Sequence, residues 1–237
     1  METESTNVDE VSKWCPVSRV ERRVLGVLVE KSKTTPDTYP MTLNSITTAC
    51  NQKSNRKPLM QLELDDVEEV LDDLRQKKVV VEIQGDGRKA KYKHLLYEWL
   101  AVDKVELAIM AELLLRGEQT LGDLRGRANR MEKIADVAEL RPIVKSLMER
   151  NLIVALTPEG RGQMVSHNLY ESHEIDKVKN NAVAAADSDT VAPATRSAQK
   201  APANSNEISQ LQEQMQQLEA TVEQLSRRLD LLEVGND

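Results

Sequence analysis

The 237-residue sequence predicts an α+β fold in which one small unit occurs twice. The first observation behind this prediction is that eight residues recur 73 positions further along the chain. They are Leu74, Val81, Gly87, Arg88, His94, Leu96, Tyr97 and Glu98, which recur as Leu147, Val154, Gly160, Arg161, His167, Leu169, Tyr170 and Glu171. Identity at one constant offset is typical of a duplicated supersecondary unit. The other observations are apolar residues at helical spacing and an Asp-Gly pair between two strand-like runs.

Three helices are predicted at the start of the first copy. Ser18 and Glu21 form a capping box that opens the first helix. Thr42 is placed to cap the second helix, because its hydroxyl can accept a hydrogen bond from a free backbone N–H group. The third helix is expected to begin at Asp65, with Val67, Leu71 and neighbouring apolar residues on its inner face.

The second copy repeats this order of helices. Asp103 and Thr120 are expected to cap its first and second helices. Its third helix ends near Arg150. We place the start of that helix near Glu139, because Pro142 has no N–H group and is tolerated best in the first turn.

A β-hairpin is predicted after the third helix of each copy. In the first copy the outgoing strand is expected at 79–84 and the returning strand runs through Tyr92. In the second copy the outgoing strand is expected at 152–156 and the returning strand runs through Val165. The Asp86-Gly87 pair in the first copy is a strong signal for a tight hairpin turn. A further short edge strand is expected at Tyr39–Met41, because Pro40 offers no donor to a strand ladder.

Three helices followed by a hairpin make a winged helix, a variant of the helix-turn-helix. The sequence therefore predicts two tandem winged-helix domains with flanking segments. The predicted ranges are a disordered N-terminus at 1–17, winged-helix domains at 18–100 and 101–176, a flexible linker at 177–206 and a coiled-coil helix at 207–234.

A family resemblance is carried by a long set of residues in the first copy and a shorter set in the second. They are Val29-Glu30-Lys31, Thr34-Thr35-Pro36, Tyr39-Pro40, Asn44, Ala49-Cys50-Asn51-Gln52-Lys53, Asn55-Arg56, Pro58 to Met60, Leu114-Leu115-Arg116-Gly117 and Gln119-Thr120. This pattern resembles the signature of the YceH-like proteins over roughly residues 19–170. The resemblance implies a bacterial cytoplasmic protein with tandem winged helices, and it implies no reaction.

Composition narrows the possible partners. The chain has no Phe and only 3% aromatic residues, so it offers little material for stacking the bases of single-stranded nucleic acid. No apolar run approaches the roughly 18 residues needed to cross a bilayer, and the first residues do not form a secretion signal. Cys15 and Cys50 are expected to be unpaired thiols. We therefore expect a cytoplasmic protein without a membrane partner.

The C-terminal residues predict a dimer. Residues 177–206 are rich in Ala, Ser, Asn and Pro, which is typical of a flexible linker. Eight apolar residues then follow a regular heptad spacing: Ile208, Leu211, Met215, Leu218, Val222, Leu225, Leu229 and Leu232. This spacing favours a parallel coiled coil and hence a homodimer. The alternative is a helix that folds back onto its own modules.

The distribution of charge bears on whether the protein binds double-stranded DNA. The third helix of the first copy is expected to expose Glu68, Glu69, Asp72 and Asp73, which repel phosphates. Basic residues lie elsewhere, and the candidate DNA contacts are Lys53, Arg56, Lys57, Arg88, Lys89, Lys91, Lys93, Arg125, Arg127, Arg130, Arg141 and Lys145. Residues 18–100 hold 15 basic and 13 acidic side chains, and residues 101–176 hold 10 and 13, so neither module is strongly basic. Each basic cluster can also be an ordinary solvated surface.

The residues that carry chemistry do not form a recognisable site. The three histidines and two cysteines show no spacing typical of metal ligands, and no pair of titratable groups is placed for acid-base catalysis. We therefore expect no metal, no cofactor and no enzymatic activity.

Three hypotheses follow for the function. The first is a dimeric DNA-associated regulator, and the second is a scaffold that binds a protein partner through its winged-helix faces. An enzyme is the third, and the sequence offers no mechanism for it.

Overall fold

The computed structural model describes residues 14–84, 89–160 and 162–178 of the chain. The predicted coiled coil and almost all of the predicted linker lie outside the described residues. So do most of the predicted N-terminal segment and the Gly85–Arg88 turn of the first hairpin.

The first half of the molecule contains three α-helices and a small antiparallel sheet. Its elements are α1 (Arg19–Thr34), a 3-10 turn (Pro36–Thr38), β1 (Met41–Thr42), α2 (Leu43–Cys50), α3 (Leu64–Gln76), β2 (Val80–Gln84) and β3 (Ala90–His94). The strands lie in the order β1-β3-β2, so the hairpin β2-β3 is completed by the short strand β1. The prediction of a short strand before α2 is confirmed, although the strand begins two residues later and ends one residue later than expected.

The second half repeats this order after a connecting helix. Its elements are α4 (Leu96–Leu100), α5 (Lys104–Arg116), β4 (Gln119–Thr120), α6 (Leu121–Ala128), α7 (Val137–Glu149), β5 (Ile153–Ala155) and β6 (Met164–His167). The strand order is β4-β6-β5, and a further helical segment runs over residues 172–178. The protein is therefore a mixed α+β protein, as predicted. Within the described ranges, no helix combines the length and the apolar character that crossing a membrane requires.

Local capping fixes the starts of four helices where the sequence predicted them. At α1, the Glu21 N–H donates to the Ser18 hydroxyl at 3.3 Å, while the Ser18 N–H donates to the Glu21 carboxylate at 2.6 Å. Asp103 opens α5 with the same reciprocal arrangement. Thr42 and Thr120 cap α2 and α6 through their side-chain oxygens. These caps satisfy N–H groups that would otherwise lack a partner.

The recurring residues occupy matching positions in the two sheets. Val80 pairs with His94 in the first sheet, and Ile153 pairs with His167 in the second. Both histidines are buried, at 5% and 1% exposed. The constant offset in the sequence therefore corresponds to a shared strand register.

The two halves pack against each other through α1 and α5. Gly26 of α1 lies so close to α5 that a Cβ atom there would be 2.8 Å from Leu115 Cγ. Val24, Leu28 and Ile109 are fully buried in a hydrophobic core to which both halves contribute. The halves therefore share one core, because α1 of the first half packs directly against α5 of the second.

The structure corrects the predicted starts of α3 and α7. Helix α3 begins at Leu64, and the N–H of the preceding Glu63 donates to Asp66 at 2.8 Å. Helix α7 begins at Val137 with Asp136 as its cap, so Pro142 lies in the second turn and not in the first. The strong Asp136 cap, whose carboxylate accepts the Glu139 N–H at 2.9 Å, outweighs the cost of the proline.

The predicted N-terminal disorder does not extend to its last four residues. Val17 is fully buried, and its N–H donates to the Leu169 carbonyl at 3.1 Å. Trp14 packs against the same core. The chain is therefore fixed to the second half before α1 begins.

Candidate nucleic-acid interface

The outer face of the first hairpin presents the clearest exposed basic surface. Because side chains alternate along a strand, Tyr92 and His94 of β3 point inward while Lys91 and Lys93 are exposed. Lys89 precedes them at the start of the strand and is exposed as well. We call Lys89, Lys91, Lys93 and the adjacent Val81 and Ile83 the wing face.

Two apolar side chains lie beside these lysines on the same face of the hairpin. In the hairpin register, Val81 pairs with Lys93 and Ile83 pairs with Lys91. Val81 and Ile83 are 36% and 37% exposed, so the wing face combines ammonium groups with apolar surface. Within the described residues, none of the three lysines has an acidic partner within salt-bridge distance.

The basic surface continues toward the second half. Lys93 borders a cleft of about 520 Å³ that also includes Lys33, Lys104 and Glu132. Lys33 is neutralised there, because its ammonium lies 2.7 Å from the Glu132 carboxylate and also donates to the Lys104 carbonyl at 3.0 Å. The exposed Lys104 side chain extends the positive charge of the wing face to the start of α5.

Helix α3 has the opposite character. Its exposed carboxylates are Asp65, Asp66, Glu68, Glu69, Asp72 and Asp73. Arg75 is engaged by Asp72 at 2.8 Å and by Glu82 at 3.0 Å, so it does not offset the remaining acids. An unneutralised acidic helix repels DNA phosphates that approach within a Debye length, about 8 Å at physiological salt.

Helix α7 of the second half presents two of the predicted cations. Lys145 is exposed, and Arg141 donates to the Gly160 carbonyl at 3.1 Å from the exposed side of the helix. Both line a shallow groove of about 220 Å³ between α7 and the second hairpin. This arrangement leaves charged nitrogen atoms available to an anion.

Arg56 lies inside the protein. Its side chain is completely inaccessible, and its guanidinium forms a two-point ion pair with Glu30 of α1. Its Nε also donates to the Ala49 carbonyl at 3.0 Å. A buried, fully engaged guanidinium cannot reach a phosphate, so we leave Arg56 out of the candidate interface.

Arg130 completes the same buried network from the second half. It pairs with Glu30 and lies 3.2 Å from Glu112 of α5. Burial opposes the ionisation of Glu30, but Arg56 and Arg130 outweigh it and hold the pKa of Glu30 below its ordinary value. Burial dominates at Glu112 and raises the pKa of that carboxyl in spite of Arg130 and Arg116. Arg130 therefore connects the two halves and is also left out of the candidate interface.

Arg125 supports the turn between α6 and α7, whereas Arg127 is bonded to the strand that precedes α6. Arg125 Nε donates to the Ile134 carbonyl at 2.9 Å, and its guanidinium also bonds the Ala135 carbonyl. Arg127 donates to the buried Gln119 amide oxygen at 2.6 Å. Their hydrogen bonds stabilise the local fold, although both side chains remain partly exposed.

The other predicted contacts are spread over separate surfaces. Lys53 and Lys57 are exposed in the connection between α2 and α3, and Lys57 lies 2.9 Å from Glu118. Arg88 lies outside the described residues. The structure therefore does not bring all twelve predicted cations together, and two groups remain: the lysines of the wing face, and Arg141 with Lys145.

The sequence did not reveal a second basic cluster around the start of α1. Arg19, Arg22 and Arg23 converge there with Arg116 of α5. The signal available in the sequence was the Arg19-Val20-Glu21-Arg22-Arg23 run, which places three arginines within two turns of one helix.

The two recurring histidines have structural roles. His94 Nδ1 accepts the Leu96 N–H at 3.4 Å, and His167 Nδ1 accepts the Leu169 N–H at 3.2 Å. Burial lowers the pKa of His94 to about 4 and that of His167 well below its ordinary value. Both rings are therefore neutral at physiological pH and close the junction after each hairpin.

Comparison with known proteins identifies the family. A family model described as "Protein of unknown function, DUF480" matches residues 17–163, which include the wing face and α7. The chain belongs to this family. The DUF480 match begins at the buried Val17 and ends within the second hairpin, so it covers both halves. The resemblance to an uncharacterised bacterial family is thereby confirmed.

Relatives of this DUF480 member are found in several bacteria. A UPF0502 protein of Rhodopirellula baltica is 46% identical over 217 residues, which are 90% of this chain and 91% of the relative. A UPF0502 protein of Geobacter sulfurreducens is 54% identical over 131 residues, which are 55% of this chain and 60% of the relative. A third, from Pelobacter propionicus, is 51% identical over 134 residues, covering 56% of this chain and 61% of the relative.

Proposed function

We propose that the two halves are winged helices and that the protein is a cytoplasmic, non-enzymatic regulator that binds duplex DNA. The observation that carries this proposal is the wing face, where Lys91 and Lys93 are exposed and have no acidic partner in the described part of the chain. The order of three helices and a hairpin in each half supports the assignment of the fold. Hairpins of such domains commonly contact the DNA backbone.

The charges favour an unequal use of the two halves. In the first half the hairpin approaches DNA and the acidic α3 stays away from it, since its carboxylates repel phosphates. In the second half α7 itself makes contact through Arg141 and Lys145. Such contacts to phosphates fix the position of a protein on DNA but carry little sequence information.

We further propose that the heptad residues from Ile208 to Leu232 form a parallel homodimer. A dimer doubles the number of phosphate contacts and compensates for the modest charge of each chain. Replacing Leu218 and Leu225 by Glu is expected to convert the dimer to a monomer in light scattering and to weaken DNA binding.

The experiment measures binding of the full-length protein to a duplex of random sequence over a range of salt concentrations. The variant Lys89→Gln/Lys91→Gln/Lys93→Gln is expected to bind at least tenfold more weakly. If these lysines meet phosphates, the slope of log affinity against log salt also falls by roughly two to three.

A control removes two positive charges at another surface. Arg19→Gln/Lys177→Gln replaces two exposed cations that line a different part of the molecule. This variant is expected to bind DNA within about threefold of the parent. The proposal fails if the parent shows no retention of duplex DNA at low salt, or if both variants lose affinity equally.

A protein scaffold is the second candidate, and the surface near α3 favours it. Leu64, at the start of α3, is 44% exposed, and Leu59 in the preceding connection is 62% exposed. Apolar side chains beside an acidic helix suit a partner with a basic surface. Under this hypothesis Glu69→Lys/Asp72→Lys abolishes a partner interaction while DNA binding is unchanged. An unchanged set of co-purified proteins counts against it.

A further inference from the structure

A basic pocket of about 470 Å³ lies where the start of α1, the end of α5 and the residues after Tyr170 meet. Six cationic side chains line it: Arg19, Arg22, Arg23, Lys57, Arg116 and Lys177. We call this group the arginine pocket. Its residues come from both halves, and they are separate from the wing face.

The carboxylates that line the pocket do not balance its cations. Arg22 forms a two-point ion pair with Glu174, at 2.7 and 2.8 Å, and Lys57 lies 2.9 Å from Glu118. Arg19 and Lys177 are exposed and have no acidic partner within the described part of the chain. An excess of positive charge therefore remains in the pocket.

Arg23 provides a second and independent observation. It is only 1% exposed, yet its hydrogen bonds go to the neutral Cys50 and Pro58 carbonyls, at 2.9 and 2.6 Å. Its buried Nε has no hydrogen-bond partner among the described residues. Burial, with help from the nearby Arg56 and Arg19, lowers the pKa of Arg23 to about 10. Glu30 raises this pKa only as the smallest of the contributions, and Arg23 forms no ion pair among the described residues. A buried cation without an ion pair is costly unless an anion binds beside it.

We propose that the arginine pocket binds a small molecule that bears two or more phosphate groups. Such a ligand supplies the negative charge that Arg23, Arg19 and Lys177 lack. Guanidinium groups suit phosphates because their planar N–H donors bind two oxygens at once.

The dimensions of the pocket agree with a small-molecule ligand. A volume of about 470 Å³ is within the range of roughly 300–1,000 Å³ that is typical of such sites. Pro58, Met60 and Leu114 add an apolar wall, against which the remainder of the ligand can pack. A pocket of this size takes a compact anion more readily than the continuous backbone of a duplex.

Because α1 contributes the arginines and the second half contributes Lys177, a bound ligand holds the two halves together. Ligand binding to the folded state alone raises the apparent stability. This inference does not depend on DNA binding, since the two surfaces share no residue.

The test titrates the full-length protein with inorganic pyrophosphate by isothermal calorimetry and follows the thermal unfolding of the same samples. The parent is expected to bind one pyrophosphate per chain and to unfold at a higher temperature when it is bound. Arg19→Gln/Lys177→Gln is expected to weaken binding at least tenfold. Both side chains are exposed, so the variant is expected to fold.

Lys91→Gln/Lys93→Gln removes the same amount of charge from the wing face and serves as the matched control. It is expected to bind pyrophosphate as tightly as the parent. The inference is overturned if the parent does not bind pyrophosphate at millimolar concentration, or if the control loses as much affinity as the pocket variant. Equal binding of sulfate at the same ionic strength overturns the assignment to phosphate groups.

Discussion

Helices α3 and α7 follow the same elements in their respective halves, but their exposed faces differ in charge. Helix α3 exposes six carboxylates, whereas α7 exposes Lys145 together with only two carboxylates, Glu139 and Glu149, and its Arg141 donates to the Gly160 carbonyl. The strand registers behind the two helices match, as the pairing of Val80 with His94 and of Ile153 with His167 shows. The two copies therefore share the pairing of their buried strands but differ in the charge of their exposed helix faces.

The largest expected effect is a loss of stability when the ion-pair network between the two halves is broken. Glu30→Ala leaves the buried Arg56 without a carboxylate and deprives Arg130 of one of its two partners. We expect the free energy of unfolding to fall by about 3–5 kcal/mol, because an uncompensated buried charge remains. Urea denaturation measures this change.

Glu69→Ala on the exposed side of α3 serves as the control for Glu30→Ala. It is expected to change the free energy of unfolding by no more than about 0.5 kcal/mol. If the two variants are equally stable, the Glu30 network does not hold the halves together.

Close packing of α1 against α5 gives the next prediction. A Cβ atom at Gly26 meets Leu115 at 2.8 Å, so Gly26→Ala is expected to lower the free energy of unfolding by about 1–3 kcal/mol. Gly126→Ala in α6 is the matched control, because nothing lies within 4 Å of its added methyl group. That substitution is expected to stabilise the protein by up to about 1 kcal/mol. Stabilisation by both substitutions would contradict the packing described for α1 and α5.

The two buried histidines predict a loss of stability in acid. The pKa of His94 is lowered to about 4, whereas an unfolded histidine titrates near 6.5. Between these values the unfolded chain binds a proton that the folded chain excludes, so stability falls as the pH falls. The expected loss from His94 is about 1.4 kcal/mol for each pH unit in this window.

The histidine prediction is checked by urea denaturation at pH 7 and pH 5. His94→Gln is expected to reduce the difference between the two pH values. His173→Gln is the control, since that side chain is exposed and its substitution is expected to leave the difference unchanged. Equal pH dependence in all three proteins would show that the histidine of the first half is not an acid-sensitive element.

The smallest effect tests the contrast between the third helices directly. Arg141→Glu/Lys145→Glu is expected to weaken DNA binding about tenfold, which corresponds to about 1.4 kcal/mol. Asp65→Asn/Glu69→Gln in α3 is expected to change the affinity by less than about threefold, because the proposed binding mode keeps α3 away from the duplex. Stronger binding by the α3 variant would mean that this helix does approach DNA. Fluorescence anisotropy at fixed low salt measures both.

The parts of the fold that the sequence predicted correctly depend on neighbours in the chain. Ser18 with Glu21 and Asp103 with Glu106 lie within one turn of each other, so their capping contacts can be read from spacing alone. The predicted start of α7 was wrong because the Asp136 cap stabilises a helix that carries Pro142 in its second turn. A rule that places proline only in the first turn does not include such compensation.

The candidate site was harder to predict because burial depends on distant parts of the chain. Arg56 lies in a polar run that has the appearance of a surface loop, and its partner Glu30 is on a helix well before it. Arg130 meets the same carboxylate from the other half. By contrast, the alternation of Lys91 and Lys93 with buried Tyr92 follows directly from the two-residue period of a strand.

The position of Glu30 has a consequence for how this duplicated chain folds. Its carboxylate is shared by Arg56 from the first half and Arg130 from the second. Each half alone would therefore lack a partner for one of its buried charged groups, and neither half is expected to fold on its own. Although the unit is duplicated in the sequence, the two copies are expected to unfold in a single cooperative transition.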